Sequence, residues 1–99
     1  MLLVKKEFFE DIRTGRKTTT LRYWRWPHVR ENTLQSVPGL GAIHIRAIRC
    51  VEPDQLTDED ARADGFEDLA AMRRALEKLY PPARRKGRKL YQVHFTFVP

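Results

Sequence analysis

Lys17, Thr20 and Arg22 fall within six consecutive residues, KTTTLR. A threonine hydroxyl is a weak nucleophile until a base takes its proton, and an amine can play that part, as in Ser–Lys variants of the catalytic triad. The chemistry sets one strict condition. Lys17 must be substantially neutral near pH 7, well below the ordinary lysine value of about 10.4. Burial, or cations such as Arg16 and Arg22 nearby, pushes an amine in that direction. A threonine-rich strand flanked by cations is also a common structural element, and Lys-x-x-Thr is a spacing of almost no specificity. The residues alone leave both readings open.

Other groups in the chain offer less. Trp24 and Trp26 flank Arg25, and two indoles with a guanidinium could sandwich a nucleobase. Equally, one indole could be core and the other could cover an end of the fold. His28, His44 and His94 have no mutual spacing suited to a metal, so no metal site is expected. PGLG at 38–41 has turn spacing, not that of a phosphate loop. Asp64 directly precedes Gly65 and ends a helical segment, where the helix dipole disfavours an acid.

The elements that must carry these residues follow from periodicity. LLV at 2–4 suits a short strand. The segment KKEFFEDIRTG predicts a helix with Phe8, Phe9 and Ile12 on one face, stopped at Gly15. TTTLRYW is β-branched and aromatic and predicts a strand. In extended chain Thr20 and Arg22 share one face, and Thr19 and Leu21 share the other. TLQSV predicts a second strand. AIHIRAIRCVE then alternates, with Ile43, Ile45 and Ala47 on one face. Its apolar phase slips after Ala47, which predicts a bulge or bend.

Thr57 is a natural N-cap for a short helix with acids in its first turn, closed by Gly65. Leu69, Met72, Leu76 and Leu79 mark an amphipathic helix that Pro81 ends. ARRKGRK is a basic loop. Tyr91, Val93, Phe95 and Phe97 alternate strictly in the last strand, and Ile43, Ile45, Val93, Phe95 and Phe97 are expected to share one core with Leu69, Met72 and Leu76. The order β-α-β-β-β-α-α-β predicts an α+β fold: a small, mostly antiparallel barrel-like sheet with flanking helices.

Ninety-nine residues suit a single domain, 1–99, with a modest core. The charge is segregated. Residues 1–49 carry ten basic residues against four acids, residues 50–68 one against eight, and residues 69–99 eight against one. Converging basic ends would attract anions, although solvated basic faces would equally keep a small protein in solution. No apolar run approaches a membrane span, and the start of the chain lacks the pattern of a signal peptide. One cysteine, Cys50, excludes an internal disulfide and a cysteine-cluster metal site. A cytoplasmic location and no membrane partner are the expectations.

FFEDIRTGRKTTTLR, followed by LTDEDARADGF, LEKLYP and the final YQVHF, resembles an ASCH domain of the PUA-like superfamily. The resemblance covers nearly the whole chain. It implies a small β-barrel with flanking helices and a cleft suited to RNA or a nucleoside. Some members of the family are regarded as RNA-binding or RNA-cleaving modules. Others are small metal-independent amidohydrolases that deacetylate N(4)-acetylcytidine, with a Lys, a Thr and a Glu as triad. The Lys falls on Lys17 and the Thr on Thr20. The Glu falls on the position of Asp64, one methylene shorter.

The resemblance thus implies an amidohydrolase acting on an acylated cytidine-type nucleoside, without cofactor. Lys17, Thr20 and Asp64 would be catalytic, and Arg22, Tyr23, Trp24 and Trp26 would hold the substrate. The alternative is a non-catalytic RNA-binding module, or a ribonuclease, using the same basic cleft with Arg84, Arg85, Lys86, Arg88 and Lys89 on the phosphates. Monomer and dimer are both open.

Overall fold

The computed structural model describes residues 2–99. Four strands form one antiparallel sheet in the order β1-β4-β3-β2, where β1 is Thr19–Trp24, β2 Thr33–Val37, β3 Gly41–Val51 and β4 Lys89–Val98. The ladder is open, with β1 and β2 as its edges. Four helices flank it: α1 (Phe9–Arg13), α2 (Asp58–Ala63), α3 (Leu69–Leu79) and α4 (Pro82–Arg85). The α+β, antiparallel architecture with flanking helices is the one expected, but the sheet stays open and does not close into the expected barrel. No helix among the described residues is long and apolar enough to cross a membrane.

Local chemistry explains the ends of the elements. Gly15, at φ +78°, turns the chain out of α1, a left-handed conformation costly for a residue with a Cβ. Thr57 and Asp60 form a reciprocal capping box at the start of α2. The Asp68 carboxylate accepts from the Ala71 amide, 2.9 Å away, and caps α3, while Asp58 accepts from Leu69 N at 2.8 Å. The predicted strand at 2–4 does not form. Leu2 is buried in the core, Leu3 is exposed, and the segment joins no ladder.

The sheet is packed on both faces, which divides the core in two. One cluster joins Ile43, Ile45, Val93 and Phe95 with Leu2, Phe9, Ile12 and Trp24, and Phe97 packs against it. The other joins Leu21, Tyr23 and Leu90 with Leu56, Ala61, Met72 and Tyr80, and Leu69 and Leu76 pack against that one. The single shared core expected from the sequence is therefore corrected: α3 covers the opposite face from Ile43 and Phe95. Leu79, at the end of α3, is exposed.

The phase slip in β3 is a bulge. Ile45 pairs with Phe95 and Ala47 with His94, so Arg46 is the extra residue. Ala47 consequently faces away from Ile43 and Ile45, one residue earlier than the sequence pattern suggests.

Candidate active site

β1 is an edge strand, and the turn that enters it is held on both sides. Lys17 N donates to Asp11 O, Thr18 N donates to Ala63 O at the end of α2, and Phe95 N donates to Thr18 O. These bonds set Lys17 between the ends of α1 and α2. Asp64 is the C-cap of α2 and is itself buried. Gly65, at φ +90°, turns the chain away behind it. A Cβ there would stand 3.4 Å from the Lys17 Cβ, so a glycine lets the helix end close on the lysine stem.

Lys17 is 5% exposed, as the base hypothesis requires. Its ammonium forms a salt bridge with the Asp64 carboxylate, donates to the Asp64 backbone oxygen at 2.8 Å, and lies 5.0 Å from the centre of the Phe8 ring. Burial pushes the Lys17 amine below its ordinary value against the pull of Asp64, and the Arg22 charge adds to the lowering. Burial likewise pushes the Asp64 carboxyl up, against the charges of Lys17 and Arg22. Desolvation thus drives both partners toward their neutral forms.

Thr20 is 7% exposed, and its Oγ1 accepts from Arg22 Nε at 3.2 Å. The two residues share a face of β1, as alternation predicts: Thr20 pairs with Val93, and Arg22 with Tyr91. The Arg22 fork also donates to Leu3 O at 2.7 Å, which ties the N-terminal segment across the site. The charge of Arg22 acts on both Lys17 and Asp64, and Thr20 is joined to this group through its bond with Arg22. No hydrogen bond joins Lys17 to Thr20 among the described residues. Each has another partner, because a buried ammonium beside a carboxylate pairs with it first.

The remaining predicted substrate residues divide. Tyr23 belongs to the opposite face of β1, buried edge-on against Tyr80 with ring centres 5.2 Å apart. It is core, and its expected stacking role is corrected. Trp24 is the buried indole of the pair and stacks on His28 at 4.7 Å. Trp26 is 66% exposed. Trp24 shares the face of Thr20 but stands four residues along the strand, about 13 Å away.

The basic loop is at the Trp24 end of β1, where Lys89 pairs with Trp24, and so lies at the far end of the strand from Lys17. Lys86, Arg88 and Lys89 are exposed. Arg84 is tied to Leu79 O and lies over the Tyr80 ring, and Arg85 is partly buried.

Three contributors escaped the sequence reading. Phe8 packs against the first core cluster, as its place on the face of Phe9 and Ile12 implies, and also presents its ring to the ammonium. The Leu3 carbonyl and Gly65 act through the backbone. Only Gly65 left a signal, as the glycine directly after the acid. Among the described residues no group of three or more His, Cys, Asp or Glu side chains is arranged to hold a metal ion.

No protein-family model matches the chain, and no curated protein sequence matches it. Solved structures do. A hypothetical protein, PH0355, superposes with a TM-score of 0.78 at 15% identity, over 96% of this chain and 94% of that one. An ASCH domain from Lactobacillus crispatus JV V101 superposes with a TM-score of 0.71 at 18% identity, over 96% of this chain and 75% of that one. With the antiparallel sheet and its flanking helices, these likenesses show that the chain has the fold of an ASCH domain.

Proposed function

We propose that the protein is a metal-independent amidohydrolase that removes the acyl group from the exocyclic amine of an N(4)-acylated cytidine-type nucleoside. The observation that carries this reading is the buried Lys17–Asp64 pair under the charge of Arg22, which is itself hydrogen-bonded to Thr20. A structural ion pair in so small a domain gains little over apolar residues of the same size. A pair pressed toward neutral amine and neutral acid is what proton transfer at an amide requires.

Reaction begins when Arg22 leaves the Leu3 carbonyl and uncovers the Thr20 hydroxyl. Thr20 Oγ bonds to the acyl carbon as its proton passes to the Lys17 amine. The carbonyl oxygen takes up the negative charge, and Arg22 stabilises it. The carbon–nitrogen bond then breaks, and the nucleobase amine leaves with a proton supplied through Asp64. Water attacks the acyl-threonine and gives a proton to the pair, which passes it to Thr20 Oγ as the bond from Oγ to the acyl carbon breaks and the carboxylic acid leaves.

Thr20→Ala removes the nucleophile and should abolish turnover while substrate affinity stays nearly intact. Lys17→Arg should be nearly as damaging, because a guanidinium does not act as a base. Thr18→Ala and Thr19→Ala should retain turnover. Thr18 is exposed, and Thr19 faces the other side of the sheet. Steady-state kinetics on N(4)-acetylcytidine decides: a fully active Thr20→Ala protein ends the nucleophile assignment.

A further inference from the structure

The second face of the sheet is only half covered. α2 and α3 pack over Leu21, Tyr23 and Leu90, and the cover ends where Gln92 of β4 meets Asp60 of α2. Beyond it the same face of β4 continues with His94 and Thr96, beside Ala47, Arg49 and the bulge residue Arg46 of β3. These residues, with Thr18 and Phe95, line an open groove of about 440 Å³. No acidic residue lines it. Two guanidinium groups, an imidazole and two hydroxyls do.

The imidazole is held in place by a relay. Gln92 Nε2 donates to Asp60 Oδ1 at 3.2 Å, which turns the amide oxygen toward His94, 2.9 Å from Nε2. An acceptor there requires the proton on Nε2, so Nδ1 keeps a lone pair and meets a phosphate only through a phosphate O–H. Arg46 reaches Thr96 Oγ1 at 3.4 Å, and neither Arg46 nor Arg49 meets a carboxylate among the described residues. The bulge aims Arg46 out of the regular alternation, which brings both arginines to one wall of the groove.

We propose that this groove binds a phosphate group, held by the Arg46 and Arg49 forks with the Thr18 and Thr96 hydroxyls and the His94 ring around it. A carboxylate offers two oxygens and is satisfied by one fork. A phosphate presents more acceptor oxygens, in a tetrahedron that two forks and flanking hydroxyls can meet together. The site does not depend on the chemistry at Lys17, although Thr18 joins the two in sequence. The phosphate has two possible origins, the free ion or a nucleotide, alone or in a strand.

The test is a titration of the protein, followed by backbone amide shifts and calorimetry, with inorganic phosphate, cytidine monophosphate, cytidine and a short single-stranded oligoribonucleotide. The phosphate-bearing probes should shift Thr18, Arg46, Arg49, His94 and Thr96, whereas cytidine should leave them in place. Arg46→Gln/Arg49→Gln, at two exposed positions, should weaken phosphate binding more than about tenfold and flatten its salt dependence. Thr20→Ala should bind as the unaltered protein does, which separates this site from the proposed reaction. Equal affinity for free phosphate and the monophosphate assigns the site to the ion; tighter binding of the monophosphate or the oligonucleotide assigns it to a nucleotide or a strand. Unchanged phosphate affinity in the double variant, or shifts confined to residues 84–89, overturns the proposal.

Discussion

Asp64→Asn leaves the Lys17 ammonium buried without its carboxylate, and the cost can be worked from the site. Lys17 is 5% exposed, and what remains to it is the Asp64 carbonyl at 2.8 Å and the Phe8 ring. Folding then favours the neutral amine. Loss of one partner from a buried pair costs about 3–5 kcal/mol. That is a large share of the stability of a small domain.

The sign of the pH dependence follows. In the variant the unfolded chain binds a proton that the folded chain does not, so stability rises with pH between the two Lys17 values and the deficit shrinks toward about pH 10. Urea denaturation from pH 6 to pH 10 reads this directly. The double variant Lys17→Met/Asp64→Leu removes both charges and should recover most of the loss. An Asp64→Asn protein as stable as the unaltered one at pH 7, with no pH slope, would show that the Lys17 ammonium is solvated and that the pair is not a buried proton store.

Asp64→Glu should fold and should keep or raise turnover, since the resemblance places a glutamate there. Loss of activity without loss of stability would mean that the Asp64 backbone position has adapted to the shorter acid. Gly65→Ala should lower the thermal midpoint and depress turnover together, because a Cβ at φ +90° is strained and abuts the Lys17 stem. Chemical denaturation beside kinetics separates the two effects. Asp68→Ala should cost about 1 kcal/mol by removing the cap of α3, with turnover unchanged. A larger stability loss in urea would show that Asp68 does more than cap.

What could be read from the sequence was local. The strict alternation of Tyr91, Val93, Phe95 and Phe97 located β4, and the phase slip near Ala47 announced the bulge that the structure places at Arg46. Thr20 and Arg22 were assigned to one face of a strand by spacing alone. What failed was long-range or two-sided. Leu69, Met72 and Leu76 look the same whichever face of the sheet they cover, so the division into two cores was not legible. The same alternation that joins Thr20 and Arg22 sets Tyr23 on the opposite face with Thr19 and Leu21, so its expected place beside the substrate went against the spacing of the strand. Which indole is core depends on where β1 ends, at Trp24. The Lys17–Asp64 pair spans 47 residues. Only the family resemblance, not spacing, brought the two together, and nothing in the pattern showed that Lys17 would pair with the acid rather than with Thr20.

The central claim is that this cluster cleaves an N(4)-acyl amide through Thr20. Its most direct measurement is incubation of the purified protein with N(4)-acetylcytidine, with and without a chelator, followed by chromatography for cytidine and mass spectrometry of the quenched protein. The account predicts cytidine and acetate at rates the chelator does not change. It also predicts one acetyl group on the peptide carrying Thr20, absent from Thr20→Ala. Release of cytidine at equal rates by the Thr20→Ala protein, or no release by a folded protein whose Lys17–Asp64 pair is intact, would contradict it.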